Sequence, residues 1–174
     1  MDPKEIYKFY GIPYYMKIDI EGSDLDVLES IINLEFKNRP KYISIESTKT
    51  SWSALLREFD IFIKLGYLKF QAIPQRKMQE KVTKWKNAKG RIITYRHKKD
   101  SSGPFGEDLK NNWKNFKVVK LQYKLIFLRY KLFGDDGIFA PRKINNYYLR
   151  FFYRSFLTLT FLNANWFDTH AKKD

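Results

Sequence analysis

The sequence has no cysteine among its 174 residues. That excludes disulfides, a thiolate nucleophile and thiolate-ligated metal, and it fits a reducing compartment. Histidine is scarce, with only His97 and His170. The eight glycines nowhere form Gly-x-Gly, so the glycine-rich turn that cradles a nucleotide cofactor is not encoded. No apolar run is long and uncharged enough to span a bilayer. The opening Met-Asp-Pro-Lys-Glu lacks the basic-then-apolar pattern of a secretory signal. A cytoplasmic location is therefore expected, with peripheral membrane association left open. Acidic residues are outnumbered, 19 Asp and Glu against 33 Lys and Arg, for a formal net charge of +14.

What is present is enough for a folded domain. Hydrophobic residues make up 44% and aromatics 18%, which excludes wholesale disorder and supplies a real core. The charge is unevenly placed. Residues 1–75 carry 10 Lys and Arg against 11 Asp and Glu, whereas residues 76–174 carry 23 against 8. The second half therefore carries the positive charge and points to an acidic partner: phosphate, anionic lipid or nucleic acid.

The first half alternates strand and helix. Residues 3–9 read as the end of a helix, with Pro3 suiting a first turn and Gly11 a stop. Met16, Ile18 and Ile20 then alternate with Lys17, Asp19 and Glu21, a period of two that predicts a strand over 15–20. Gly22 suits a sharp exit, and Ser23-x-x-Asp26 resembles a capping box. A helix is predicted near 24–35, a strand over 41–47, a helix near 53–65 ending at Gly66, and a strand over 67–73. This rhythm implies a parallel α/β sheet. Beyond residue 75 the regularity weakens. Ile92 to Tyr95 reads as a short strand, Ser101 to Leu109 as a loop, 110–133 as helix in part, Gly134 to Gly137 as a turn and 144–163 as an aromatic-rich helix.

Asp19 and Glu21 fall at the carboxyl end of the first strand, where open α/β sheets bind ligands. Either is a candidate general base, and both are candidate wall residues of a ligand crevice. Glu46 repeats the pattern one strand over. Parallel neighbours put the two carboxylates ~5 Å apart, a separation that suits magnesium. Polar rims at strand ends are common, and no histidine lies nearby, so no metal is assigned.

Five blocks taken in order resemble the C-terminal half of an FkbM-type methyltransferase domain. They are Tyr10-Gly-Ile-Pro13, Lys17-Ile-Asp-Ile-Glu-Gly22, Pro40-Lys-Tyr-Ile-Ser-Ile-Glu46, Leu65-Gly-Tyr67 and Ser102-Gly-Pro-Phe-Gly106. The closing Trp166-Phe-Asp-Thr-His-Ala171 is similar to the end of some members. The resemblance implies a Rossmann-like, doubly wound fold that uses S-adenosylmethionine to methylate an oxygen of a sugar or small metabolite. Residues 17–21 would form its fourth strand and 42–46 its fifth. The first three strands, with the glycine loop and the acid that holds the cofactor ribose, are expected upstream, so the chain reads as lacking the main cofactor-binding half.

On that basis Asp19 and Glu21 are the catalytic candidates, and Lys17, Asp19 and Gly22 the cofactor-binding ones. Glu46, Ser102, Gly103, Gly106 and Glu107 are the substrate-binding candidates. The expected organisation is a partial methyltransferase domain over 1–109, with a basic, aromatic-rich helical extension over 110–174 packed on it. An open sheet edge beside the first strand invites self-association.

Asp168 and His170 share a face only if they lie on a strand, and a histidine so near a terminus is expected to be exposed and idle. His97, between Arg96 and Lys98, is expected to be part of a basic patch. The interleaved cations and aromatics of the second half admit a different class of function, a non-catalytic module for an anionic partner. A solvated basic face over an ordinary aromatic core is favoured first, then a membrane surface or phosphorylated glycan, then nucleic acid, for which no motif is present.

Overall fold

The computed structural model describes residues 3–20, 22–75, 82–86, 90–98, 104–109, 112–159 and 166–174. Three segments predicted as strands lie in one sheet: β1 (Tyr15–Ile18), β2 (Tyr42–Glu46) and β3 (Lys69–Pro74). They are separated by α2 (Asp24–Ser30) and α3 (Trp52–Lys64), and β1 is preceded by α1 (Pro3–Tyr10). An antiparallel hairpin of β4 (Val82–Lys86) and β5 (Ile92–Arg96) follows as a separate two-stranded sheet. Then come α4 (Phe116–Phe133), α5 (Tyr147–Leu159) and β6 (Phe167–Lys172).

The strand order is β1-β2-β6-β3. β1 and β2 are parallel, with Ile18 beside Ile45. β6 runs antiparallel to both β2 and β3, so β2 and β3 point the same way with β6 between them. The sheet is thus mixed, not parallel throughout as the first half of the sequence implied. Residues 110–174, expected as an extension packed on the first domain, supply this interior strand. Phe70 and Lys114 also exchange backbone hydrogen bonds at 2.8 and 2.9 Å, tying the approach to α4 onto β3.

Pleating divides the sheet into two faces. Ile18, Ile43, Ile45, Phe70 and Ala171 form an apolar layer buried against Leu28 and Ile31, Leu55, Phe59 and Phe62 of α3, and Val119 and Tyr123 of α4. In α3 the buried residues recur at i, i+4 and i+7, the stripe of an amphipathic helix. Its start is fixed by Ser51, whose hydroxyl accepts the Ala54 N–H. Its end is fixed by Gly66 at φ +81°.

α2 stops at Ser30, short of the predicted 35. Ser23 makes no side-chain cap either. Instead Asp24 accepts the Ile20 N–H at 2.8 Å, and the Ser23 N–H closes a turn on Ile20 O at 2.9 Å. The backbone beyond α2 is held by Arg39, whose guanidinium donates to Ile32 O and Leu65 O at 2.6 and 2.9 Å.

Candidate functional site

At the carboxyl ends of β1 and β2 lies a cleft of about 320 Å³, lined by Asp19 and Asp24 on one side and by Glu46 through Thr50 on the other. Gly22 at φ +91° turns the chain from β1 towards α2 and brings Asp24 to the rim; that conformation is closed to most side chains. Asp19, with its side chain half exposed, pairs with Lys17 at 3.1 Å. Lys17 also pairs at 3.5 Å with Asp168, which is 1% exposed. Burial lowers the Lys17 pKa, but the two carboxylates more than offset this and leave it raised. For Asp168 burial dominates over Lys17 and pushes the carboxyl up to about 6.

The far wall is the turn after β2. Thr48 Oγ1 accepts the N–H groups of Thr50 and Ser51, and this turn presents Lys49. The ammonium lies over the rings of Trp166 and Tyr130 at 4.8 and 5.5 Å. Burial depresses its pKa, against the pull of Glu46 and Asp135. Lys49 and Thr50 also border a second cleft of about 380 Å³, walled by Phe127, Leu128 and Tyr130 of α4. Among the described residues no three His, Asp or Glu side chains are grouped to hold a metal ion.

Beneath the acidic cleft is a buried polar network. Ser47 donates to Glu58 Oε1 at 2.6 Å and also bonds Thr169, whose hydroxyl meets Tyr123 Oη at 2.6 Å. Burial raises Glu58 to about 8, despite the hydrogen bonds of Ser47 and Thr169 that lower it. Near pH 7 the carboxyl is therefore mostly protonated and neutral, which is how an acid persists in a core without a cation.

Much of the polar face of the sheet is buried too, Ser44, Gln71, Asp168 and His170 among it. Tyr15 Oη meets Ser44 Oγ at 2.5 Å, and the Tyr15 ring stacks on Phe105 at 4.0 Å and lies near-parallel to His170 at 6.4 Å. His170 is not the exposed terminal histidine the sequence suggested. It is 2% exposed, and burial lowers its pKa to about 4. The cause is β6, which places Asp168 and His170 on one face inside the sheet. His97 belongs to the hairpin, with Nε2 3.1 Å from Thr83 Oγ1.

The candidates from the sequence therefore fall into groups. Lys17, Asp19, Gly22 and Glu46 gather at or beside the acidic cleft. Glu21, Ser102 and Gly103 lie outside the described residues. Gly106 and Glu107 do not join Glu46. Glu107 accepts from Tyr14 Oη and Lys41 Nζ at 2.7 and 2.9 Å, and Gly106 packs against the Tyr42 ring, all at the amino ends of β1 and β2. Four residue steps along β2 carry the chain from Tyr42 to Glu46, ~13 Å, too far for one small acceptor group. Asp24 and Lys49 were not singled out by the sequence: one reads as a helix start, the other as part of a Ser/Thr-rich turn. Comparison with protein-family models, with curated proteins and with solved structures finds no match.

Proposed function

We propose that the acidic cleft is one wall of a methyltransferase site of the FkbM type, within a partial Rossmann-like, doubly wound sheet. The site would use S-adenosylmethionine to methylate an oxygen of a sugar or small metabolite. The observation that carries this reading is the position of the cleft, outside the carboxyl ends of two adjacent parallel strands, with Asp19 on one and Glu46 on the next. Open α/β sheets bind ligands there. The parallel pairing of β1 with β2 and the shared direction of β2 and β3 are compatible with such a sheet, with β6 as an antiparallel strand inserted between them. Among the described residues β1 has a strand partner on one side only, β2. Phe9, Tyr10, Ile12 and Ile20, which neighbour β1 in sequence, are exposed.

The donor set fits part of the cofactor. Asp19, Asp24 and Glu46 suit its cationic groups and ribose hydroxyls, and the glycine loop would have to come from elsewhere. Bound there, S-adenosylmethionine supplies an electrophilic methyl group. The chain's own residues orient the acceptor. Asp19, held by Lys17, or Glu46 accepts a hydrogen bond from the acceptor hydroxyl and takes its proton as the oxygen attacks.

Calorimetry with S-adenosylmethionine tests the proposal. Each missing hydrogen-bond partner forfeits ~1–3 kcal/mol, and each 1.4 kcal/mol is about tenfold, so the 174-residue chain should bind no tighter than roughly millimolar. Supplying a glycine-loop half by fusion should restore binding, and Asp19→Ala should then abolish it. Micromolar binding by the chain alone, or an Asp19→Ala fusion that binds undiminished, refutes the assignment.

A further inference from the structure

α5 is amphipathic the wrong way round for a core helix. Tyr148, Phe152, Phe156 and Leu159 recur at i, i+4, i+8 and i+11, which places them on one face, and each is 53–78% exposed. Leu149 and Phe151 widen that face and are equally open. The helix is held by its other side. Leu157 is 1% exposed, Tyr153 Oη donates to Phe139 O at 3.1 Å, and Arg150 Nε donates to Ile144 O at 2.8 Å. The turn it is tied to adds exposed Ile138 and Phe139. α4 carries a second outward stripe, Leu121, Leu125 and Leu128, each more than half exposed. Soluble chains rarely leave contiguous apolar surface of this extent open to water without a partner.

Charge selects the partner. Residues 116–159 carry nine Lys and Arg against two Asp. On α5 the cations do not interrupt the aromatic face: Arg154 is exposed on a separate strip, and Arg150, one turn before it, is engaged with the Ile144 carbonyl. A polynucleotide groove interleaves its cations with its stacking rings. Here rings and aliphatic chains form a face of their own, with the α5 cations on the other half of the helix, the division of a helix that lies in a bilayer interface. None of the described helices is long and apolar enough to cross a membrane, and α5, at 13 residues, is too short to span one, so its contact would lie along the surface.

We propose that α5 docks this protein on an anionic lipid bilayer, with Tyr148, Phe152, Phe156 and Leu159 sunk to the headgroup–acyl boundary and the neighbouring Lys and Arg on lipid phosphates. No residue of α5 lines the acidic cleft, and the proposal does not depend on the methyltransferase reading. Anionic headgroups draw the basic flank by a salt-screened attraction, and ring burial supplies a salt-insensitive remainder.

Co-sedimentation of the full chain with vesicles is the test, using phosphatidylcholine alone and phosphatidylcholine containing phosphatidylserine. Binding is expected to the anionic vesicles, weaker by roughly tenfold or more on neutral ones or at high salt. The double variant Phe152→Ser, Phe156→Ser alters only exposed positions and should keep the native circular dichroism and melting curve while losing anionic-vesicle binding at least about tenfold. Lys143→Glu with Arg154→Glu should lose the preference for phosphatidylserine while leaving the fold intact. Absence of binding to anionic vesicles overturns the proposal. So does binding unchanged in a folded Phe152→Ser, Phe156→Ser protein. A homodimer broken by those substitutions, or a mixed-sequence RNA held more tightly than the vesicles, overturns it equally by showing that the face serves another occupant.

Discussion

Gly66 shows how one residue fixes the meeting of two elements. Its φ of +81° ends α3, and a β-carbon there would stand 2.6 Å from the Phe36 ring. Gly66→Ala therefore meets both backbone strain and a collision, and should lose roughly 1–3 kcal/mol of stability in urea unfolding. Glu58 makes a pH-dependent contribution. In the unfolded chain its carboxyl ionises near its ordinary 4.5, while in the folded protein it holds its proton up to about 8. Between those values the native state binds the extra proton, so stability falls as pH rises. Asp168, raised to about 6, acts in the same direction at lower pH, and His170, lowered to about 4, acts oppositely below its ordinary 6.5. Above pH 6.5 the Glu58 effect therefore stands clear of both. From pH 6.5 to 8 the loss from Glu58 should amount to roughly 2 kcal/mol, at 1.36 kcal/mol per unit. Glu58→Gln keeps an acceptor for the Ser47 hydroxyl but cannot ionise. Its stability relative to the native protein should grow across that window in denaturant titrations at each pH. A constant difference would mean that Glu58 is already ionised at pH 6.5.

Among the elements, those set by local pattern were visible in advance. The stripe Leu55, Phe59, Phe62 marked α3, and the alternation around Lys17 and Tyr42 marked β1 and β2 with Asp19 and Glu46 at their ends. β6 was not visible, because Phe167-Asp-Thr-His-Ala-Lys172 reads as polar and near-terminal. Only the flanking strands make it an interior strand whose Asp168, Thr169 and His170 are buried. The same holds for the network under the cleft. Ser47 meets Glu58 and Thr169 across sequence separations of 11 and 122 residues, which no local period encodes. Phe59 measures how far these elements form one body. Its ring meets Phe70 of β3 and Phe116 and Tyr123 of α4, with centroids 5.1–5.7 Å apart. Phe59→Ala should cost about 3–5 kcal/mol. Because the ring joins residues from both sides of position 109, the loss should appear as one cooperative transition shifted to lower denaturant. Two separate transitions, with only the first displaced, would mean that residues 110–174 fold independently.

At the scale of the whole molecule two surfaces stand out among the described residues, and they make distinguishable demands. Among the described residues β1 is paired with a strand on one side only, and a sheet edge of this sort is a template for pairing. We expect the purified chain to self-associate there, by a contact built from main-chain hydrogen bonds and from the exposed apolar residues that flank the strand, Ile12 and Ile20 among them. The aromatic face of α5 is a helix surface whose backbone bonds are already made within the helix, so its attraction is through side chains alone. Sedimentation velocity on two sets of variants separates the two. Ile12→Lys with Ile20→Lys places charge beside the strand edge, a device that natural edge strands use against pairing, and should shift the chain towards monomer while leaving vesicle binding intact. Phe152→Ser with Phe156→Ser should release the chain from vesicles while leaving its self-association in solution unchanged. A native chain that sediments as a well-behaved monomer at high concentration would show that the β1 edge is not available for pairing.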